Sequence, residues 1–244
     1  MPRTARVVVD GGTYHVLTRG NNGQTVFHQD DDYHSYLQLL LAQIAQHQLK
    51  VYHFALMPNH VHLIMEVPVA AALSKAMSGV NLSYSWLYRK RHRYSGHLWQ
   101  GRFKSLLIDR ESYLLECGRY VELNPVRAGL VQDPRAYAWS SYRVYAEGAA
   151  NSLIAPHPLY QGIGSTARQR QERYREFIQD GMRMSAPPPL ARYRFIGGTS
   201  AAVQSFERQF GLAAVRRGPG RPRKVEAVLQ KNKNVPYFLQ SGSR

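Results

Sequence analysis

The spacing of apolar positions along the chain changes several times, and each change predicts a new element of secondary structure. The run of residues 14–19 predicts a strand, which the Gly-Asn-Asn-Gly run of residues 20–23 ends. An acidic turn at residues 30–32 then precedes apolar positions that recur at helical spacing up to Leu49. Because acids at the start of a helix suit its dipole, this segment is predicted to be a helix.

The same pattern predicts a hairpin whose two strands lie at residues 51–56 and 61–67. It then predicts a helix at 71–94, a strand at 103–108 and a last helix at 112–131. Pro58 and Asn59 form the corner of the hairpin, and Asn124-Pro125 marks a break inside the last helix. The resulting order is β-α-β-β-α-β followed by a helix. That order predicts an α+β protein of the split βαβ, or ferredoxin-like, class, in which helices cover one face of an antiparallel sheet and the other face stays available.

The pattern is looser beyond Pro134 and predicts three parts. Residues 1–134 form the sheet domain, residues 135–213 form a helical extension that packs on or near it, and residues 214–244 form a flexible basic tail. The predicted features of the extension are a packed turn, an amphipathic helix, a proline spacer and a short helix, at residues 137–145, 167–178, 187–189 and 199–210.

Composition narrows the choice of partner. The chain has 32 Lys and Arg against 16 Asp and Glu, a net charge of +16, so a polyanionic partner is expected. No run approaches the roughly 18 apolar residues of a membrane-spanning helix, and a single cysteine excludes an internal disulfide framework. We therefore expect no membrane, a nucleic-acid partner, and a cytoplasmic, nucleoid-associated protein.

A pair of histidines on the second hairpin strand is the first candidate for chemistry. His60 and His62 project from one side of that strand, since side chains alternate along it. Two adjacent imidazoles can share a divalent metal ion. The alternative is that both are ordinary histidines on the face of a sheet, and the pair alone names no reaction.

Tyr120 and Asn124 are the second candidate. They lie four residues apart on the last predicted helix and so share one of its faces. If that face lies over the sheet near the histidines, the Asn124 amide can supply an oxygen ligand, and the Tyr120 phenol can attack a phosphodiester, helped by cations such as Arg119 and Arg127. Two alternatives stay open, a nucleic-acid binding protein without catalysis and a metal-dependent hydrolase that uses water.

Five ordered motifs together resemble a known family. They are YHVLTRGN, MPNHVHL, LWQGRFKS, YVELNPVRAGL and WSSY, at residues 14–21, 57–63, 98–105, 120–130 and 139–142. In combination they are similar to the HUH single-tyrosine transposases, and most closely to the REP-associated tyrosine transposases. The resemblance covers roughly residues 5–145 with specific motifs.

The resemblance implies a role for each matching residue. His60, His62 and Asn124 would be ligands of Mg²⁺ or Mn²⁺, and Tyr120 the nucleophile. Asn in place of the more usual Gln favours the REP-associated branch. Members cleave single-stranded DNA beside a palindromic hairpin, the REP element, and retain a 5′-phosphotyrosine with a free 3′-OH. We expect no small-molecule cofactor, and a monomer is slightly favoured over a dimer.

Basic residues near these motifs are the candidate DNA contacts. Between residues 86 and 104 there are six Lys and Arg, five aromatic residues and no acid, which suits phosphate tracking and base stacking. For Trp86 itself we expect a core-facing side chain. The tail holds a Gly-Arg-Pro segment that partly matches an AT-hook. The candidate contacts are Arg19, Asn21, Asn22, Arg89, Lys90, Arg91, Arg93, Arg102, Lys104, Arg119, Arg127, Arg221, Arg223 and Lys224.

Overall fold

The computed structural model describes residues 8–108, 111–183 and 196–197. The strands are β1 (Gly12–Arg19), β2 (Lys50–Met57), β3 (His60–Val67), β4 (Lys104–Ile108) and β5 (Ile196–Gly197). The helices are α1 (Asp30–His47), α2 (Ala70–His92), α3 (Glu111–Glu122), α4 (Asn124–Arg127), α5 (Tyr142–Glu147), α6 (Pro158–Gly162) and α7 (Ala167–Arg183). Short 3-10 turns occupy Asn21–Gly23 and Pro134–Ala136.

The strands form one sheet in the order β2-β3-β1-β4-β5. Strands β2, β3, β1 and β4 are antiparallel to one another, and β5 is parallel to β4. Strand β1 lies between β3 and β4 and pairs with both. The predicted α+β class and split βαβ order are confirmed, and the predicted break at Asn124 is where α3 gives way to α4.

Helices α1 and α2 cover one face of the sheet. Tyr14, Val16 and Leu63 point into this layer from the strands and are fully buried. Helix α1 begins with a capping box between Gln29 and Asp32, which accounts for the predicted acidic start. The first hydrophobic core of the protein lies in this layer.

The sequence predicted that the opposite face of the sheet stays open, but the structure shows that it is covered. Helix α3 packs on it through Leu114, Cys117 and Val121, which contact Tyr52 and Ile64 of the sheet in a second core. The reason is that the apolar side chains of this face need cover as much as those of the first. At the end of this face that carries His60, at the start of β3, side chains are partly exposed.

A close approach fixes the depth of α3 on the sheet. A Cβ atom built on Gly118 would lie 2.5 Å from Nε2 of His53, a residue of β2. Only glycine permits this spacing, because any side chain at residue 118 would push the helix away from the strand. Gly118 is two residues before Tyr120.

The extension after Pro134 packs on the sheet domain through a buried polar network. The Glu122 side chain, 0% exposed, accepts hydrogen bonds from Ser141 Oγ at 2.5 Å and Tyr174 Oη at 2.7 Å, and its Oε1 lies 2.9 Å from Nδ1 of His53. Ser141 precedes α5 and Tyr174 belongs to α7. The carboxylate thus joins α3 to β2 and to the extension.

In the part of the chain that the structure describes, no helix is long and apolar enough to cross a membrane. The predicted proline spacer, the short helix at 199–210 and the basic tail lie outside the described residues. What the sequence predicts for these segments, and the predicted domain boundaries at residues 134 and 213, therefore stay predictions.

Candidate active site

The two histidines of the hairpin lie side by side on the α3 face of β3. Their ring centroids are 4.8 Å apart. His62 is 4% exposed and pairs across the sheet with Leu17 and Ala55, while His60 is partly buried and pairs with Arg19. Strand alternation therefore brings both imidazoles to the same end of this face, where His60 is partly exposed.

A hydrogen bond orients each ring through its Nδ1 atom. Nδ1 of His60 lies 2.6 Å from Oδ1 of Asn59, and Nδ1 of His62 lies 2.8 Å from Nε2 of His15. A bond at one ring nitrogen sets which nitrogen can bind a metal. In both residues the remaining nitrogen is Nε2.

His15 is a site residue that sequence reasoning missed. Its ring stacks on that of His62, with centroids 5.0 Å apart and an interplanar angle of 3°, and it is 8% exposed. His15 belongs to β1, and a strand pairing between β1 and β3 brings it beside the pair. The sequence shows one histidine in the first predicted strand. Only the register of β1 against β3 reveals that this residue lies beside the histidine pair.

All three rings are neutral near pH 7. Burial, together with a smaller effect of the nearby Arg19, lowers the pKa of His60 to about 4. Burial likewise lowers the pKa of His15 to about 4, with a smaller contribution from His60. The pKa of His62 lies well below its usual value, chiefly because of burial. A neutral imidazole is the form that binds a metal.

Tyr120 extends from α3 toward the histidines. Its ring centroid is 5.9 Å from that of His62 and 6.1 Å from that of His15, both in edge-on contact. Burial raises the pKa of the Tyr120 phenol, and the Arg127 guanidinium, 5.4 Å from the ring centroid, opposes that rise. The resting side chain is thus a neutral phenol beside one cation.

Asn124 caps the end of α3. Its Nδ2 donates to the carbonyl oxygens of Tyr120 and Val121 at 2.8 Å and 3.3 Å. These bonds use the amide nitrogen and fix the side chain, so Oδ1 is the atom that remains for a ligand. Asn124 and Tyr120 are held together by this bond and not by shared helix geometry alone.

Two neutral imidazoles and an amide oxygen could hold a divalent metal ion, with further positions left for substrate oxygens. Among the described residues no group of three or more His, Cys, Asp and Glu side chains is arranged to hold a metal. The Nε2 atom of His15 lies 2.8 Å from Nδ1 of His62 and is therefore not free to bind a metal.

The structure leaves nearly all of the predicted DNA contacts within its described residues on the surface. Those that are exposed are Arg19, Asn21, Asn22, Arg89, Lys90, Arg91, Arg93, Arg102, Lys104 and Arg127. Arg91 also forms an ion pair with Asp32 at 2.6 Å, so its guanidinium is partly committed to the fold. Arg221, Arg223 and Lys224 lie outside the described residues.

Arg119 differs from the other predicted contacts because it is buried, with 7% of its surface exposed. It forms an ion pair with Glu116 and donates to the Phe177 carbonyl oxygen at 3.1 Å. Its guanidinium also lies 4.1 Å from the centroid of the Phe177 ring. This side chain holds α7 against α3, so its predicted role as a DNA contact stays a prediction.

Comparison with known proteins agrees with this arrangement. A model of the family described as "Transposase IS200 like" matches residues 8–124, the span from β1 to Asn124. Residues 8–124 are thus similar to the IS200-like transposases. The matched segment of this IS200-like domain contains both histidines, Tyr120 and Asn124. None of the curated proteins compared with the chain matches it.

One solved structure shares the fold of the IS200-like domain. The structure of a REP-associated tyrosine transposase bound to a REP hairpin aligns at 18% identity and a TM-score of 0.52, over 64% of this chain and 93% of that chain. A candidate transposase from Deinococcus radiodurans R1 aligns at 20% identity and a TM-score of 0.35, over 50% of this chain and 96% of that chain. At 18% identity the first likeness establishes the fold.

Proposed function

We propose that this protein is a REP-associated tyrosine transposase that cleaves and rejoins single-stranded DNA beside a hairpin. The observation that carries the proposal is that the Tyr120 ring lies 5.9 Å from the His62 ring within one chain. The nucleophile thus lies beside a pair of neutral imidazoles, and the Asn124 amide, hydrogen-bonded to the Tyr120 carbonyl oxygen, is the proposed third ligand. That is the set of groups which phosphodiester transfer to a tyrosine needs.

His60, His62 and Asn124 are the residues that would hold Mg²⁺ or Mn²⁺. When bound there, the ion would polarise a phosphoryl oxygen and stabilise charge that develops on it. The Nδ1 bonds to Asn59 and His15 leave Nε2 as the remaining ring nitrogen of each histidine, so the chain sets which atoms would bind before the ion arrives.

The reaction is a transesterification that consumes no water. The Tyr120 phenol oxygen forms a bond to phosphorus and loses its proton, while the bond from phosphorus to the 3′-oxygen breaks. The leaving 3′-oxygen keeps the bonding electrons and takes up a proton, which gives a 3′-OH and a 5′-phosphotyrosine. Attack by the 3′-OH of a strand on the phosphotyrosine reverses the step and rejoins DNA.

Arg127 assists the attacking oxygen, because a guanidinium at this distance favours the phenolate over the phenol. Two cations lie on the strands beside the histidines. Arg19 of β1 pairs with His60, and Lys104 of β4 pairs with Leu17, which itself pairs with His62. Both are exposed, and both can pair with phosphates on either side of the scissile bond.

The DNA partner is inferred from charge and from the similar fold. A net charge of +16 and a band of exposed cations favour a polyanion. The relative with the same fold was solved with a REP hairpin bound. A palindromic hairpin with a single-stranded flank is therefore the proposed substrate, and association with the nucleoid follows from it.

We expect Tyr120 to act on the metal site of its own chain, as a monomer. Helix α3 is tied to β2 through Glu122 and to α7 through Arg119, so exchange of α3 between two copies would break both sets of contacts. Mixing Tyr120→Phe protein with His62→Ala protein tests this expectation. The mixture should stay inactive, whereas recovered cleavage would mean that the two chains share a site.

The deciding experiment is a denaturing gel with a hairpin oligonucleotide labelled at either end, with Mg²⁺ or Mn²⁺. Wild type should form an adduct that resists SDS and carries the label from the 3′ side of the cut. Tyr120→Phe should bind the DNA and form neither adduct nor nick. Tyr113→Phe, seven residues earlier on the same helix, is the matched control and should keep the adduct.

Other outcomes of that gel would replace the proposal. Cleavage by Tyr120→Phe would mean that water is the nucleophile and that the protein is a hydrolase. DNA binding with no adduct or nick in wild type, across hairpins and metals, would mean that the fold serves as a binding protein.

A further inference from the structure

Apolar contacts by themselves do not set the position of the Tyr120 ring over the sheet. Helix α3 rests on the sheet through Leu114, Cys117 and Val121, which pack in the second core. Hydrophobic burial has no preferred direction, so it keeps the helix on the sheet without fixing its rotation or its register. Directional contacts are therefore needed to hold the Tyr120 ring 5.9 Å from that of His62.

His53 of β2 contacts α3 at two points, one on each side of Tyr120 in the sequence. A Cβ atom built on Gly118 would lie 2.5 Å from its Nε2 atom, and its Nδ1 atom lies 2.9 Å from Oε1 of Glu122. Gly118 and Glu122 are four residues apart and share one face of the helix, whereas Tyr120, two residues from each, points to the opposite side. The face of α3 that meets His53 thus sets the direction in which Tyr120 extends.

Glu122 is held in turn by the extension that follows Pro134. The Tyr174 phenol, on α7 and 1% exposed, donates to Oε2 of Glu122 at 2.7 Å. The Tyr174 ring lies 5.2 Å from the Tyr145 ring, which stacks on His53 with centroids 4.5 Å apart. These buried rings keep the hydroxyl of Tyr174 directed at the carboxylate.

Ser141 supplies the other donor from the extension. Its Oγ donates to Oε1 of Glu122 at 2.5 Å and accepts from the Phe54 N–H at 3.0 Å, and its own N–H donates to the Phe54 carbonyl oxygen at 3.0 Å. Phe54 precedes Ala55, which pairs with His62 across the sheet. The hydrogen bonds that orient Glu122 are therefore anchored one residue away from the partner of a candidate metal ligand.

We propose that Tyr174 is a positioning residue for the Tyr120 nucleophile and acts through Glu122. The hydroxyl of Tyr174 orients the carboxylate, and the carboxylate fixes the rotation of α3 against β2. That rotation sets where the Tyr120 oxygen meets the phosphorus atom. The inference rests on the proposed function for the reaction itself. Displacing a reacting group by about 1 Å can slow a reaction by about 100-fold, so a contact that never touches DNA can control this step.

The first test is the rate of adduct formation by Tyr174→Phe, a variant that keeps the ring and loses only the hydroxyl. Single-turnover gels with saturating hairpin DNA and Mn²⁺ should show a rate about tenfold or more below that of wild type. The DNA and Mn²⁺ affinities should stay within about twofold of wild type, because the change lies in the interior. Tyr160→Phe is the matched control. It removes a buried hydroxyl of the extension that donates to the Tyr145 carbonyl oxygen at 2.7 Å, and it should keep the wild-type rate.

The second test reports the position of Tyr120 without DNA, metal or turnover. Tyr120 is replaced by 3-fluorotyrosine in the full chain, and its ¹⁹F resonance is compared in wild type and in each variant. We expect the resonance to shift or broaden in Tyr174→Phe and to match wild type in Tyr160→Phe. Ser141→Ala, which removes the other hydroxyl donor to Glu122, should alter the resonance and slow adduct formation as Tyr174→Phe does.

The outcomes separate this inference from the proposed function. Equal adduct rates in Tyr174→Phe and Tyr160→Phe would overturn the positioning role, since Tyr174 would then only stabilise the fold, and would leave the Tyr120 adduct itself intact. A loss of DNA affinity in Tyr174→Phe as large as the loss of rate would also overturn it. If wild type forms no adduct, the proposed function fails. The ¹⁹F resonance then still decides the contact, because an identical resonance in every variant would overturn the positioning role, and one altered in Tyr174→Phe and Ser141→Ala alone would support it.

Discussion

The Nε2 atom of His15 lies 2.8 Å from the Nδ1 atom of His62, between rings that are parallel to within 3°. At this distance one of the two nitrogens carries a proton. A metal at Nε2 of His62 requires that proton to be on Nδ1 of His62, which then donates to His15. His15 therefore selects the form of His62 that binds metal, although it does not itself reach the ion.

His15→Phe should weaken Mn²⁺ binding by roughly 10–100-fold, the usual cost of losing such a partner. The ring volume is kept, but Nδ1 of His62 loses its acceptor. An electron paramagnetic resonance titration of free Mn²⁺ measures the affinity without DNA. The control is His34→Phe, an exposed histidine on α1, which should bind as wild type does. Equal affinities for His15→Phe and wild type would remove His15 from the site.

Glu122→Ala should lower the free energy of unfolding by about 2–4 kcal/mol, because it leaves Ser141 and Tyr174 in the interior without their acceptor. Glu122→Gln should cost less, since its amide oxygen can still accept. Urea unfolding followed by circular dichroism measures both. Glu176→Ala, at an exposed position of α7, is the control and should change stability by less than about 0.5 kcal/mol. A Glu122→Ala protein as stable as that control would contradict the network.

Arg119→Ala and Arg127→Ala should fail in different ways. Arg119 is buried against Phe177, so its removal should cost about 1–3 kcal/mol of stability while the folded protein keeps its DNA affinity. Arg127 is exposed beside the Tyr120 ring, so its removal should leave stability within about 0.5 kcal/mol and slow adduct formation by about tenfold or more. Thermal unfolding and single-turnover gels are the two measurements. Exchanged phenotypes would reverse the assignment.

Asp32 should make the protein sensitive to acid. Burial alone would raise the pKa of its carboxyl, but hydrogen bonds from the His28 N–H and from the side chains of His92 and Arg91 outweigh burial and hold the pKa below its usual value of 3.8. Because the folded pKa is the lower one, this carboxylate stabilises the fold above pH 3.8, and the contribution is lost as the pH falls below that value.

Asp32→Asn should accordingly be less stable than wild type at pH 7, and the difference should shrink as the pH falls below about 4. Stability from urea unfolding at several pH values measures the trend. Asp31→Asn, exposed on the same helix turn, serves as the control and should run nearly parallel to wild type. A gap between Asp32→Asn and wild type that stays constant with pH would mean that the Asp32 charge contributes nothing.

Much of the fold was predictable because its signals are local. The strand and helix order up to Asn124 follows from periodicity, and the pairing of His60 with His62 on one side follows from alternation along a single strand. The break before Pro125 follows from proline chemistry. Each of these depends on residues that are close together in sequence.

The parts that were missed depend on contacts between distant elements. His15 joins the site only through the register of β1 against β3. Arg119 and Arg127 look alike in the sequence, and only the position of α7 buries one and leaves the other exposed. Trp86 was assigned to the core because large aromatic residues usually are, but the inner side of α2 is already occupied by Tyr84 and Tyr88.

The Glu122 network has a consequence for what can be separated from the rest of the chain. The segment that matches the family model ends at residue 124, whereas partners of Glu122 come from residues 141 and 174. The segment that matches the family model is therefore shorter than the segment that packs together in the fold. A chain that ended at residue 124 would expose the buried side of α3 to water. The candidate active site therefore lies within the family segment but needs the extension to keep its fold.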